Sequence, residues 1–185
     1  AHLDPAFAKY QLLVLLREWF LHPNGALPAY EWSFDDVNPP VHAFAALRVF
    51  HIGGDRDVEF IERAFQKLLL NFMWWVNHFD ADGDNLFGGG FLGLDNISPI
   101  DRSHLPPGAR LEQADGSAWV AFNTLNLLAM AVRLSDHDDV YYDLVVTFFE
   151  RFVAVTRAIN RAGIYDPGRG FFYDRMVTPS GTAPV

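Results

Sequence analysis

The chain has 185 residues, and 14 Lys and Arg stand against 23 Asp and Glu, a formal net charge of −9. That balance excludes a general nucleic-acid binder, which presents a basic face to displace counterions from phosphates. Hydrophobic residues make up 50% and charged residues 20%, which excludes a disordered chain, and the lack of Cys excludes disulfides, thiolate zinc sites and Cys nucleophiles. No run of about 18 apolar residues reads as a membrane span, and no signal peptide is visible at the N-terminus. The aromatic complement, 17 Phe, 6 Tyr and 5 Trp, suits a large core or the lining of a sugar or apolar-ligand site.

Apolar residues recur every three or four positions, which predicts five helices, near 6–21, 39–52, 56–78, 114–134 and 138–161. The first carries five consecutive apolar residues, Leu12 to Leu16, and is expected to be enclosed on all sides. Pro39-Pro40 opens the second, where a missing N–H is tolerated, and Gly53-Gly54 closes it. The third shows one stripe, Val58, Ile61, Phe65, Leu68, Phe72 and Val76, with Glu59, Glu62, Arg63, Gln66 and Lys67 on a more polar face. The fourth is apolar around most of its circumference, through Phe122, Leu125, Leu127, Leu128, Met130, Ala131 and Val132, and is likewise expected to be enclosed on all sides. Asp136, Asp138 and Asp139 favour the positive end of the fifth, whose stripe is Val140, Leu144, Phe148, Phe152, Val155 and Ile159, and Gly163 ends it. Beyond lie a turn at Asp166-Pro-Gly-Arg-Gly and the run Phe171-Phe172-Tyr173-Asp174. No segment alternates with period two for long enough to predict a strand. The expected fold is therefore all-α, and a sheet of three or more strands would contradict it. Alternating enclosed and half-exposed helices suit two concentric layers, although a plain bundle fits the same periodicity.

Two connections, roughly 22–38 and 79–113, exceed the ~15 residues usual for a structureless loop in a compact domain. In the first, Glu31, Asp35 and Asp36 lie among Tyr30, Trp32 and Phe34. Carboxylates bind sugar hydroxyls and rings cover apolar sugar faces; each acid is also suited to capping a turn or helix. Asp35-Asp36 starts the diphosphate–magnesium motif of terpene synthases, but Pro39 stands where its third acid belongs. The second connection begins Asp80-Ala-Asp82-Gly-Asp84-Asn85, acids at the alternate positions of a calcium loop. Asn85 replaces the loop's Gly, and Phe91 stands where its closing Glu belongs. The readings left open are a solvated turn and a structural calcium ion on Asp80, Asp82 and Asp84; no other cofactor is required. Gly88-Gly89-Gly90 follow, and then Asp95, the only ionisable side chain from Leu86 to Ile100. Desolvation raises the pKa of such an acid and lets it serve as a general acid, unless it caps a turn through the Asn96 and Ser98 N–H groups. Asp101-Arg102, Glu112-Gln113 and Asp115 read as ion pairs or caps. The seven His show no i,i+4 pair and no Ser nucleophile elbow accompanies them, so neither a metallohydrolase nor a triad hydrolase is indicated.

Trp19, His22-Pro-Asn-Gly, Leu27-Pro-Ala-Tyr-Glu-Trp, Phe34-Asp-Asp-Val-Asn-Pro-Pro-Val-His, Gly89-Gly-Phe-Leu-Gly-Leu-Asp-Asn-Ile, Asp101-Arg-Ser and Leu111-Glu-Gln-Ala-Asp-Gly resemble glycoside hydrolase family 63. The resemblance runs over essentially the whole chain and is closest to the bacterial mannosylglycerate hydrolase-like and α-glucosidase-like branch. It implies an (α/α)6 barrel and inverting hydrolysis of α-glucosides or α-mannosides. Gly93-Leu94-Asp95 resembles the Gly-Trp-Asp of trehalases, which places the general acid on Asp95; Leu94 and Phe91 depart from that pattern and bear on the choice of substrate. Glu31, Trp32, Asp35, Asp36, Asn96 and Arg102 are the implied sugar contacts, with Arg102 alternatively a partner of Asp101. Gln113 and Trp119 are further candidates unless they face the core. The family's general base is a Glu late in the barrel, and a barrel has twelve helices. Residues 1–185 are therefore expected to form one partial catalytic domain, inactive in isolation. The expected partners are a small-molecule or oligosaccharide substrate and the remainder of the barrel, with no nucleic acid and no membrane, in the cytoplasm. The alternative function is a non-catalytic helical carbohydrate-binding or scaffold fragment; a terpenoid cyclase lacks its acid motif.

Overall fold

The computed structural model describes residues 1–17, 20–30, 33–34, 37–80, 82–90, 92, 100–102 and 104–185. Helix α1 spans Pro5–Leu15; Pro5 opens it and the Asp4 carboxylate accepts the Phe7 N–H at 2.9 Å. It is shorter than the periodicity predicts, because Arg17, Phe20 and Leu21 enter successive turns rather than a continued helix. Helix α2 spans His42–Ile52 and starts beyond the two prolines. The residue before a proline is pushed out of the helical region, so Pro39 is not helical, and its carbonyl instead accepts the Val41 N–H at 2.8 Å. Helix α3, Val58–Phe79, is capped by Asp57, which accepts the Phe60 N–H. Helix α4 spans Ala114–Ser135 and α5 spans Tyr142–Arg161, separated by a 3-10 turn at Asp139–Tyr141 that Asp138 caps. Gly163, at φ 75°, takes the left-handed conformation just past α5, as its position suggested.

The all-α expectation holds only for the helical part. Strand β1 (Arg110–Glu112) precedes α4, and four strands follow α5: β2 (Tyr165–Asp166), β3 (Phe171–Phe172), β4 (Arg175–Thr178) and β5 (Gly181–Pro184). β2 and β3 form a hairpin about the predicted turn, and β1, β4 and β5 make a three-stranded antiparallel sheet in the order β1-β4-β5. These strands escaped the sequence pattern for a physical reason. Each has two to four residues, too few alternations to stand out from the helical period, and the pairing Leu111↔Met176 joins distant parts of the chain.

Two core clusters hold the helices together. The first joins Ala46 and Phe50 of α2, Ile61, Phe65, Leu68 and Phe72 of α3, Leu127 and Met130 of α4, and Phe148 of α5. The second gathers Trp74 and Trp75 of α3, Val120 and Ala121 of α4 and Val155 of α5 with loop residues Ala26, Val37, Phe87 and Leu92. Successive helices are neighbours, and α2 also touches α4 while α1 touches α3. The predicted stripes of α3 and α5 face these clusters, apart from Val140, which is exposed. The expectation of enclosure on all sides holds only in part for α4, where Leu125 and Val132 are exposed, and it fails for α1. None of its residues is buried, and Phe7, Tyr10 and Leu15 face solvent. The apolar run instead delivers Leu16, just past the helix, into the first cluster. Contrary to the sequence reading, α4 is long and apolar enough to meet the length and composition of a membrane span; it lies packed against α2, α3 and α5.

Candidate active site

Six of the expected site residues, Glu31, Trp32, Asp35, Asp36, Asp95 and Asn96, lie outside the described residues. Their flanks are described, and they converge. Val37, next to Asp36, and Leu92, at the start of the stretch that includes Asp95, are both buried in the second core cluster. The two long connections are thus anchored on one set of side chains, with Trp74 and Trp75 of α3 between helix and loops.

The glycine run of the second connection lies against the first turn of α4. The Phe87 N–H donates to Ser117 Oγ at 2.9 Å, and the Phe87 carbonyl accepts the Gln113 N–H at 2.9 Å. A side chain at Gly116 would meet the Gly88 carbonyl oxygen at 2.5 Å, so only glycine allows this close approach. Gln113, 1% exposed, clasps a single residue with both ends of its carboxamide. Its Oε1 accepts the Gly90 N–H at 2.8 Å and its Nε2 donates to the Gly90 carbonyl at 2.9 Å.

Asp101 lies 3.0 Å from the His104 ring, whereas Arg102 pairs with two other carboxylates. Its guanidinium, with the side chain 8% exposed, donates to both oxygens of Asp115 at 2.7 and 2.9 Å and to Asp174 at 2.6 Å. Burial opposes the charge, but the bonds to the two carboxylates outweigh it and raise the pKa. The second oxygen of Asp174 accepts the Ala114 N–H at 2.8 Å, so a carboxylate from the approach to β4 caps α4. Asp174 drew no functional reading from sequence; the signal is a lone acid after an aromatic run, which is weak.

The acidic turn is assembled differently from the sequence expectation. Asp82 and Asp84 meet Glu112 of β1, with one oxygen of each within 4.8 Å of the others, beside a cavity of about 170 Å³. Asp80 turns to the loop's own backbone and accepts the Asn85 N–H at 3.2 Å; burial raises its pKa against that bond. Asn85 has φ 65°, the left-handed conformation for which a calcium loop keeps its Gly. Glu112, 4% exposed, pairs through Oε2 with Arg175, whereas its Oε1 accepts no hydrogen bond and lies 3.7 Å from Arg110. Arg110 also pairs with Asp82, and Arg175 stands 3.5 Å from Asp84. Glu112 therefore brings a third carboxylate, from a distant strand, to Asp82 and Asp84. His42, at the start of α2, has an enclosed Nδ1 without a hydrogen-bond partner, and burial lowers its pKa.

Comparison with known proteins shows what the chain resembles. Residues 1–90 match the family model described as the mannosylglycerate hydrolase MGH1-like glycoside hydrolase domain. The chain is superimposable on the crystal structure of a GH63 mannosylglycerate hydrolase from Thermus thermophilus, solved in complex with glucose, with a TM-score of 0.73 at 18% identity. An uncharacterised conserved protein from the same organism gives a TM-score of 0.70 at 17% identity. In each case the match covers 98% of this chain and 57% of the other. The uncharacterised protein YMR196W of Saccharomyces cerevisiae is 53% identical over 165 residues, 86% of this chain and 15% of the yeast protein. The resemblance read from the motifs is thereby supported: residues 1–90 match the model of the MGH1-like glycoside hydrolase domain, and the chain shares the fold of the two Thermus structures over 98% of its length.

Proposed function

We propose that this chain forms the general-acid half of an inverting glycoside hydrolase acting on α-glucosides or α-mannosides. The observation that carries the reading is the family match over residues 1–90, followed directly by Gly93-Leu94-Asp95. Asp95 protonates the leaving glycosidic oxygen while a second carboxylate, supplied by a part of the barrel outside these residues, activates water on the opposite face; such pairs stand ~6.5–9.5 Å apart. Glu31, Trp32, Asp35, Asp36 and Asn96 hold the sugar, and the shared anchoring of their two connections on one core cluster supports their acting together. The glucose complex of the Thermus enzyme supports a sugar ligand. The remainder of the (α/α)6 catalytic domain is the chain's partner, residues 1–185 alone do not turn over substrate, and the enzyme works in the cytoplasm, which cell fractionation tests.

Asp95→Asn in the full-length protein is the decisive variant. Turnover of glycosides with poor leaving groups falls at least ~10²-fold while sugar binding persists. Retention of a tenth of the wild-type rate would move the acid role elsewhere. Sugar binding without turnover in the wild-type full-length protein would favour the carbohydrate-binding reading.

Asp82, Asp84 and Glu112 are suited to a structural calcium ion with oxygen ligands only. The orphaned Glu112 Oε1 and the left-handed Asn85 support this, and binding would draw Asp82 away from Arg110. The expected result is a higher melting temperature in excess calcium than in chelator, lost in Glu112→Gln; an unchanged melting temperature counts against the ion.

A further inference from the structure

We propose that one face of α4, uncovered among the described residues, is the seat of a further helix from the remainder of the protein's own barrel. The inference rests on the partnership with that remainder proposed above, and it names the surface through which the partnership is made. Helix α4 is packed by α2, α3 and α5. On its remaining side Ala118, Phe122, Leu125, Ala129 and Val132 recur at alternating intervals of four and three, so they form one stripe. Every member is apolar. Phe122 is half-buried and the others are exposed, Leu125 at 47% and Val132 at 46%. Phe44 of α2, also exposed, widens the stripe, because its ring lies 5.5 Å from that of Phe122. The face therefore crosses two helices and runs about 21 Å along α4, at ~1.5 Å of rise per residue.

A helix that is apolar around its circumference is stable when every side is covered, and a contiguous apolar patch marks an interaction site. The shape of this patch selects a helix as its occupant. Ala118 and Ala129 leave shallow holes beside Phe122, Leu125 and Val132, and the side-chain ridge of a second helix fills such holes at an axis separation of roughly 8–10 Å. The source of that helix follows from the length of the matching structures. This chain covers 57% of each Thermus chain, so each carries further chain beyond the matched part. A lipid surface is a poorer occupant, since the net charge of −9 opposes approach to anionic headgroups and the other sides of α4 are packed in protein.

The test reads cover rather than catalysis. In the full-length protein, Leu125→Cys and Val132→Cys are alkylated over time and labelling at each introduced thiol is followed by peptide mass spectrometry, beside Val140→Cys at a position 68% exposed. The thiols on the stripe are expected to react at least ~10²-fold more slowly than the control, at rates unchanged when the protein is diluted. Rates equal to the control would show an open face, protection that fades on dilution would assign the face to a second copy, and protection that appears only with phosphatidylcholine–phosphatidylserine vesicles would assign it to a membrane; each of these overturns the inference. Ala129→Asp gives a second readout. A charge beneath a seated helix is expected to lower the melting temperature by about 5 °C or more, against less than ~2 °C for Val140→Asp, and equal small shifts would also overturn the inference. A full-length protein that shows the protection but cleaves no glycoside would remove the hydrolase reading and leave the covered face in place.

Discussion

Phe65 and Arg102 illustrate two ways in which this chain is held together. Phe65 lies edge-on to the Tyr141 and Phe148 rings, at centroid distances of 5.8 and 6.0 Å, in a cluster of helical side chains. Arg102 lies between Asp115 and Asp174, in a cluster drawn from a loop, a helix terminus and the approach to a strand. The first cluster owes its stability to burial of apolar area, which is non-directional and tolerates small shifts. The second is directional, and the loss of one partner leaves the others buried and unsatisfied. Stability is therefore invested in the helical region, while precision is invested around the glycine run and the first turn of α4.

The comparison makes predictions that can break it. Phe65→Ala removes a fully buried ring and is expected to cost about 3–5 kcal/mol of folding stability, read by chemical denaturation. Whatever fraction remains folded should keep its turnover number, because the first cluster does not hold the candidate site; a large fall in kcat would erase the distinction between the two regions.

Arg102→Leu is expected to cost about 2–3 kcal/mol, short of the ~3–5 kcal/mol for a fully buried broken pair, because Asp115 and Asp174 keep some access to solvent. Combined with Asp174→Asn in a double-mutant cycle, it should show a coupling above about 0.5 kcal/mol. Additive losses would mean that the network is a set of independent contacts.

The smallest effect concerns His42. Burial lowers its pKa in the folded state, so between that value and the ordinary 6.5 the unfolded chain binds more protons than the folded one. Its contribution to stability is therefore present above about pH 6.5 and is lost as the pH falls towards the folded-state pKa. His42→Gln should flatten the fall in melting temperature on acidification below that pH; an unchanged slope would show that His42 is not held neutral by the fold.

The helices were legible in the sequence because their causes are local. Asp57 caps α3 three residues before Phe60, Gly163 ends α5 where its left-handed conformation is needed, and Ile61, Phe65, Leu68 and Phe72 recur at the helical period. The family motifs were legible for the same reason, as contiguous runs such as Phe34-Asp-Asp-Val-Asn-Pro-Pro-Val-His within the matched residues. What only the tertiary structure decided depends on contacts between distant residues. Asp174 caps a helix that begins 60 residues earlier, and Glu112 approaches Asp82 and Asp84 across a turn and a strand. The exposure of α1 belongs here too, since an apolar run specifies that it can be buried but not which element is available to bury it. A local pattern registers the chain's own period; ion pairs, clasps and short strand pairings leave no period, because their energy comes from partners that only the folded chain brings within reach.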